Sequence, residues 1–154
     1  MSRDSMLWKL DEKIWFGGKP TLVEQKNKVG SVINAAHALK APYWGDLKKL
    51  PWQVWYFRLA LPDGCKADKN HINALETILD AIDKAGKYPL LCHCRLGGHR
   101  GPGTAVFAYW HLNGRNEEAL KYAVDKAVSE RPAFANNKTA EYWNSLLNYM
   151  KEQS

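Results

Sequence analysis

The chain has 154 residues, a formal net charge of +6, and 45% hydrophobic and 25% charged residues. This composition excludes a disordered chain and predicts one soluble globular domain, residues 1–154, that buries about two-thirds of its unfolded surface. No apolar run approaches the roughly 18 to 20 residues that span a bilayer, and the basic residues are scattered rather than gathered into a nucleic-acid-binding block.

The opening MSRDSMLWKLDEK lacks the apolar core of a secretory signal, so a cytoplasmic protein without stable membrane insertion is expected. Its three cysteines are read as free thiols of a reducing compartment, not as a disulfide framework. Seven tryptophans and seven tyrosines lie mostly within apolar patterns, which favours core packing over a base-stacking surface. The chain is expected to be a monomer.

Lys13–Phe16, KIWF, reads as a short strand ending at Gly17-Gly18. Thr21 and Glu24 have the spacing of a capping box and predict a short helix to about Lys28, which Gly30 closes. Ser31–Asn34, SVIN, is the next strand, and Ala35 to Pro51 carries no clear pattern. Val54–Leu61 is strand-like and stops at the turn signal Pro62-Asp63-Gly64. From Asn70 to Ala85, Ile72, Leu75, Ile78, Leu79 and Ile82 make one helical face, with Gly86 as the C-cap. Leu90–His93 reads as a buried parallel strand. Thr104–Leu112 is helical, Asn116 caps a helix that begins with Glu117 and Glu118, and Thr139–Lys151 offers Trp143, Leu146, Leu147 and Met150 for docking. Strands that alternate with helices predict an α/β fold with a small, mostly parallel central sheet flanked by helices.

The most informative stretch is Leu90–Thr104, LLCHCRLGGHRGPGT. Strand, glycine-rich turn and helix in that order converge backbone N–H groups on one point, to which the helix adds its positive end. Neither GxxxxGK[ST] nor GxGxxG is present, so a nucleotide P-loop and a dinucleotide fingerprint both fit poorly. Cys92 and Cys94, with His93 and His99, invite a zinc proposal, but the C-x-C-x4-H spacing is unusual for zinc and no second ligand pair occurs elsewhere, so no metal and no other cofactor is expected. Cys92 is read as buried packing.

What remains is Cys94, five intervening residues and Arg100. A loop of that length can surround a tetrahedral phosphoryl group with the N–H groups of Arg95, Leu96, Gly97, Gly98 and His99 while the thiolate sits beneath phosphorus. Arg100 offers a planar fork to two phosphoryl oxygens. The same donors favour the thiolate form of Cys94 and make it a nucleophile.

Here the sequence resembles the cysteine-based protein tyrosine phosphatases, in their small dual-specificity branch. The family pattern HCxxGxxR is matched by His93, Cys94, Gly97 and Arg100, while Gly101 stands where the family carries Ser or Thr. KIWFGG, SVIN and Glu117–Pro132 also resemble family segments, so the likeness covers about residues 13–150. The resemblance implies a dual-specificity-phosphatase-like fold and phosphomonoester hydrolysis through a cysteinyl-phosphate. It implies a supporting role for His93 at the base of the loop. It also implies that Gly101 lacks a hydroxyl that assists turnover; Thr104 is the nearby hydroxyl considered in its place.

From its residues alone, Asp63 is either a turn former or an acid able to reach the loop. It precedes Cys94 by 31 positions, which matches the general-acid loop of the resembling family and implies the second role. Asp68 is the alternative acid, with a charge at the start of the Asn70 helix as its simpler reading. Cys65, beside Asp63, is a candidate for oxidative pairing with Cys94. Arg95 and His99 add positive character at the mouth. Phosphorylated proteins or peptides are the expected partners, with RNA 5′-phosphates and phosphoinositides as alternatives. A phospho-ligand-binding domain with little or no turnover is the rival reading.

Overall fold

The computed structural model describes residues 7–17, 28–36, 53–61, 65–94, 100–132, 134 and 141–154. In chain order these form β1 (Leu7–Lys9), β2 (Ile14–Gly17), β3 (Ser31–Ala36), β4 (Trp55–Leu61), α1 (Lys69–Ala85), β5 (Leu90–His93), α2 (Arg100–Leu112), α3 (Glu117–Glu130) and α4 (Glu141–Gln153). The expected helix from Thr21 to about Lys28 falls almost wholly outside the described residues.

The strands make one sheet in the order β1-β2-β5-β3-β4, in which every pairing is parallel except β1 with β2. The expected α/β architecture is therefore present, with an antiparallel edge that the sequence did not announce. β1 is only three residues long, and its Trp8 stacks on Phe16 of β2 at 5.6 Å between ring centroids. Aromatic contact across the pair supplies what so short a strand lacks in length.

Strand β5 lies at the centre, and alternation along it serves two clusters. Leu90 and Cys92 join Phe16, Ile33 and the inner faces of all four helices. Leu91 packs with Trp15, Val29, Val32 and Val54 in a smaller cluster on the opposite face. Gly30 sits where the chain enters β3; a Cβ there would lie 2.7 Å from the Lys87 and Tyr88 backbone, so only glycine lets the two segments meet.

Helix α1 behaves as its pattern predicts. Ile72, Leu75, Leu79 and Ile82 are buried, Gly86 ends it at φ 64° in the left-handed region, and Asp68 is its N-cap, accepting from the His71 N–H at 2.8 Å. Helix α3 starts on its Asn116 cap as expected. Helix α2 begins at Arg100, four residues ahead of the expected Thr104. Glycines and a proline read as helix breakers, but a proline in a first turn forfeits only an N–H that has no intrahelical partner. Every α2 residue from Gly101 to Ala108 is buried, which makes it the central helix. Among the described residues no helix is long and apolar enough to cross a membrane.

Candidate active site

The parallel strands β2, β5, β3 and β4 all end at one edge of the sheet, where the described candidates Cys94 and Arg100 lie. Beyond β5 the chain reaches Cys94, which is 4% exposed and whose N–H donates to the Gly17 carbonyl at 3.4 Å, continuing the β2–β5 ladder by one bond. Arg100 opens α2, and its Nη1–H donates to the Ala35 carbonyl at the end of β3, 3.2 Å away. The β3–β4 register shifts between Asn34 and Ala36, so the irregularity lies at the residue that receives Arg100. Bulges of this kind commonly redirect groups beside active sites. Cys94 and the Arg100 guanidinium are thus held at the C-terminal ends of the adjacent parallel strands β5 and β3, the side on which ligands usually bind in open α/β sheets.

Gly101 explains the missing hydroxyl sterically. A Cβ at this position would stand 3.2 Å from the Cys94 nitrogen and the Gly17 carbonyl oxygen, and 3.3 Å from the Cys92 carbonyl oxygen. These distances are tighter than ordinary contact, so the first turn of α2 rests directly on the strand ends.

His93 is fully buried, and its Nδ1–H donates to the Cys94 carbonyl at 3.2 Å, since a carbonyl can only accept. Burial holds its pKa near 4, against the pull of that hydrogen bond, so the ring is neutral at physiological pH. Thr104, one turn into α2, donates its hydroxyl proton to the Arg100 carbonyl at 2.7 Å and lies 2.9 Å from the Tyr142 hydroxyl. Tyr142 Oη is in turn 2.9 Å from His71 Nε2. Burial pushes the Tyr142 phenol well above its usual range, opposed by the Thr104 hydrogen bond and by the Arg100 charge. Burial also holds His71 near 4, in spite of the nearby Asp68 carboxylate.

Asp63, Arg95, Leu96, Gly97, Gly98 and His99 lie outside the described residues. Asp68 caps α1 through its side chain. Cys65 is half-buried, and Cys92 is fully buried in the core with its thiol pushed up by desolvation. Among the described residues no three His, Cys, Asp or Glu side chains are grouped as a metal would require. The pattern along the chain singled out neither Tyr142 nor His71. Both reach the underside of the site only through packing of α4 and α1 on α2.

No family model and no curated protein matches the sequence. Solved structures do. A mutant form of Tk-PTP aligns over 96% of this chain and 93% of its own, with 18% identity and a TM-score of 0.70. A mouse protein described as a putative dual specificity phosphatase, complexed with zinc tungstate, aligns over 96% and 88%, with 16% identity and a TM-score of 0.70. A variant of human DUSP28 aligns over 95% and 94%, with 18% identity and a TM-score of 0.69. The fold is that of the cysteine-based phosphatases. The expected dual-specificity-like architecture holds across nearly the whole chain.

Within this phosphatase fold, the two buried histidines predict a particular acid response. Each has its pKa lowered from 6.5 to about 4. Between those values the unfolded chain binds protons that the folded chain excludes, so stability falls as pH drops from about 6.5 towards 4 and is flat in this respect above 7. The full loss corresponds to about 3 kcal/mol per histidine. Urea unfolding at about pH 7 and pH 4.5 should show a clear drop in midpoint, and an unchanged midpoint would contradict the burial of neutral imidazoles.

Proposed function

We propose that the chain hydrolyses phosphomonoesters through a cysteinyl-phosphate on Cys94, with phosphorylated proteins or peptides, phosphotyrosine above all, as substrates. The observation that carries this reading is the pairing of Cys94, at the end of the central strand, with Arg100 on the first turn of the following helix. In this reading the Cys94 thiolate attacks phosphorus and the ester oxygen departs, taking a proton from Asp63. Water then attacks the cysteinyl-phosphate, which releases inorganic phosphate and returns the thiolate.

Arg100 forks onto two phosphoryl oxygens, and the backbone N–H groups from Arg95 to His99 complete the cradle. His93 fixes the carbonyl of the nucleophile's own residue. No metal or other cofactor is called for, and the whole chain acts as one monomeric unit. The tungstate complex of the mouse protein of this fold supports the reading, because tungstate is a tetrahedral oxyanion of phosphate's shape.

Incubation with an aryl phosphate should release inorganic phosphate, and a chelator should leave the rate unchanged. Arg100→Ala should lower kcat/KM roughly 10²- to 10³-fold, the usual cost of one strong donor to a developing oxyanion. Undiminished hydrolysis in that variant would remove Arg100 from the site. A side-by-side comparison of a phosphotyrosine peptide, a phosphoinositide and a 5′-triphosphorylated RNA assigns the substrate class. Gly101 favours a second reading, a phospho-ligand-binding domain with little turnover. Stoichiometric binding without phosphate release across about pH 5 to 8 would establish that reading instead.

A further inference from the structure

Beneath the candidate site three buried side chains from three different helices form a continuous hydrogen-bonded series. His71 (5% exposed) comes from α1, Tyr142 (5%) from α4 and Thr104 (0%) from α2. The direction of the series follows from counting protons. The Thr104 hydroxyl has one hydrogen, and the Arg100 carbonyl, an acceptor only, holds it at 2.7 Å. The 2.9 Å contact with Tyr142 must then use the phenolic hydrogen. Tyr142 Oη can therefore only accept from His71, which must carry its hydrogen on Nε2. The series runs one way, from His71 to Tyr142 to Thr104 to the Arg100 carbonyl.

A threonine that donates to the carbonyl one turn back is common in helices and by itself means little. The end point of this series sets it apart. The carbonyl of Arg100 and the N–H of Gly101 belong to one peptide unit. At the start of α2 the first N–H groups have no intrahelical partner, and Pro102 has none to give. Among the described residues, the N–H of Gly101 therefore lies at the anion-binding end of the helix. A hydrogen bond received at a peptide carbonyl polarises that peptide and makes its N–H a stronger donor, and successive bonds reinforce one another.

We propose that His71, Tyr142 and Thr104 are positioning residues whose one-way hydrogen-bond series polarises the Arg100–Gly101 peptide and strengthens phosphate binding at the start of α2. The proposal rests on the reading of that helix end as the phosphate site. Tyr142 holds the key place, because its hydroxyl joins a neutral imidazole on one side to the helix that carries Arg100 on the other.

The test uses inorganic phosphate as the probe and does not depend on turnover. Amide spectra of the full chain are followed during phosphate titration for the native protein and for Thr104→Val, Thr104→Ser and Tyr142→Phe. Thr104→Val should weaken phosphate binding about two- to fivefold and move the Gly101 amide proton upfield, as expected for loss of one cooperative bond. Thr104→Ser keeps the hydroxyl and should stay close to native in both measurements. Tyr142→Phe keeps the ring and the packing, and should fall between them.

Equal phosphate affinity and an unmoved Gly101 amide in all three variants would overturn the proposal while leaving the site reading intact. A Thr104→Ser protein as impaired as Thr104→Val would also overturn it, since packing and not the hydroxyl would then be responsible. If native protein shows no phosphate-induced shift at Arg100 or Gly101, the site reading itself falls, and the proposal falls with it.

Discussion

Cys94→Ser is expected to lower the turnover of an aryl phosphate by at least about 10⁴-fold, the scale on which removal of a nucleophile acts. A serine hydroxyl is far less ionised than a thiol and forms no thiophosphate intermediate, so a favourable phosphate cradle cannot rescue the first step. The fold should tolerate the change. Cys94 lies at a strand end, and its backbone N–H, which bonds the Gly17 carbonyl, is the same for serine. A near-native thermal midpoint with retained binding of inorganic phosphate, together with loss of turnover, is the expected combination. Hydrolysis at the native rate by a well-folded Cys94→Ser protein would reject the cysteinyl-phosphate route.

Asp63→Asn should cost roughly 10²- to 10⁴-fold with a poor leaving group, the usual range for removal of a general acid. The proposed mechanism requires Cys94 deprotonated and Asp63 protonated, so activity should pass through a maximum with pH. An acid must carry its proton to work, hence its ionisation sets the falling limb at higher pH. Asparagine cannot ionise, so that limb should disappear. With a nitrophenolate leaving group the deficit should shrink, because the departing oxygen needs little protonation. An unchanged pH profile and an unchanged dependence on the leaving group would move the search to Asp68. That residue would then have to act while its side chain holds the cap of α1.

The sequence was most legible where structure depends on near neighbours. The α1 face follows from three-and-four spacing, Gly86 and Asn116 are end signals that need only local backbone geometry, and SVIN and Leu90–His93 are apolar runs of strand length. Cys94 and Arg100 stood out as candidates because they lie within one seven-residue stretch between a strand and a helix, and the structure sets them at neighbouring strand ends. β1 was not, because three residues carry no periodicity and their reason to be a strand lies in β2. The start of α2 lies ahead of the expected Thr104 because Gly101, Pro102 and Gly103 have poor helix propensity, while tertiary burial holds them in a helix. The series under the site was invisible for a different reason. Its contacts join residues 38 and 71 positions apart, and a tyrosine or histidine in an apolar pattern looks the same whether or not its polar atom has a partner.

The close seating of α2 on the strand ends bears on which substitutions the chain accepts. A glycine crowded by a bulky side chain can be released by trimming that side chain. Gly101 is crowded instead by the nitrogen of Cys94 and the carbonyl oxygens of Gly17 and Cys92, atoms that every amino acid possesses. No side-chain replacement at positions 17, 92 or 94 can therefore make room for a serine at 101; the backbone of the helix start or of the strand ends must itself give by a few tenths of an ångström. A serine at 101, the residue type of the resembling family, would therefore bring with it a local shift of backbone. The adjustment that a side chain at 101 demands is thus one of main chain, shared between a helix start and two strand ends, and not one of neighbouring side chains.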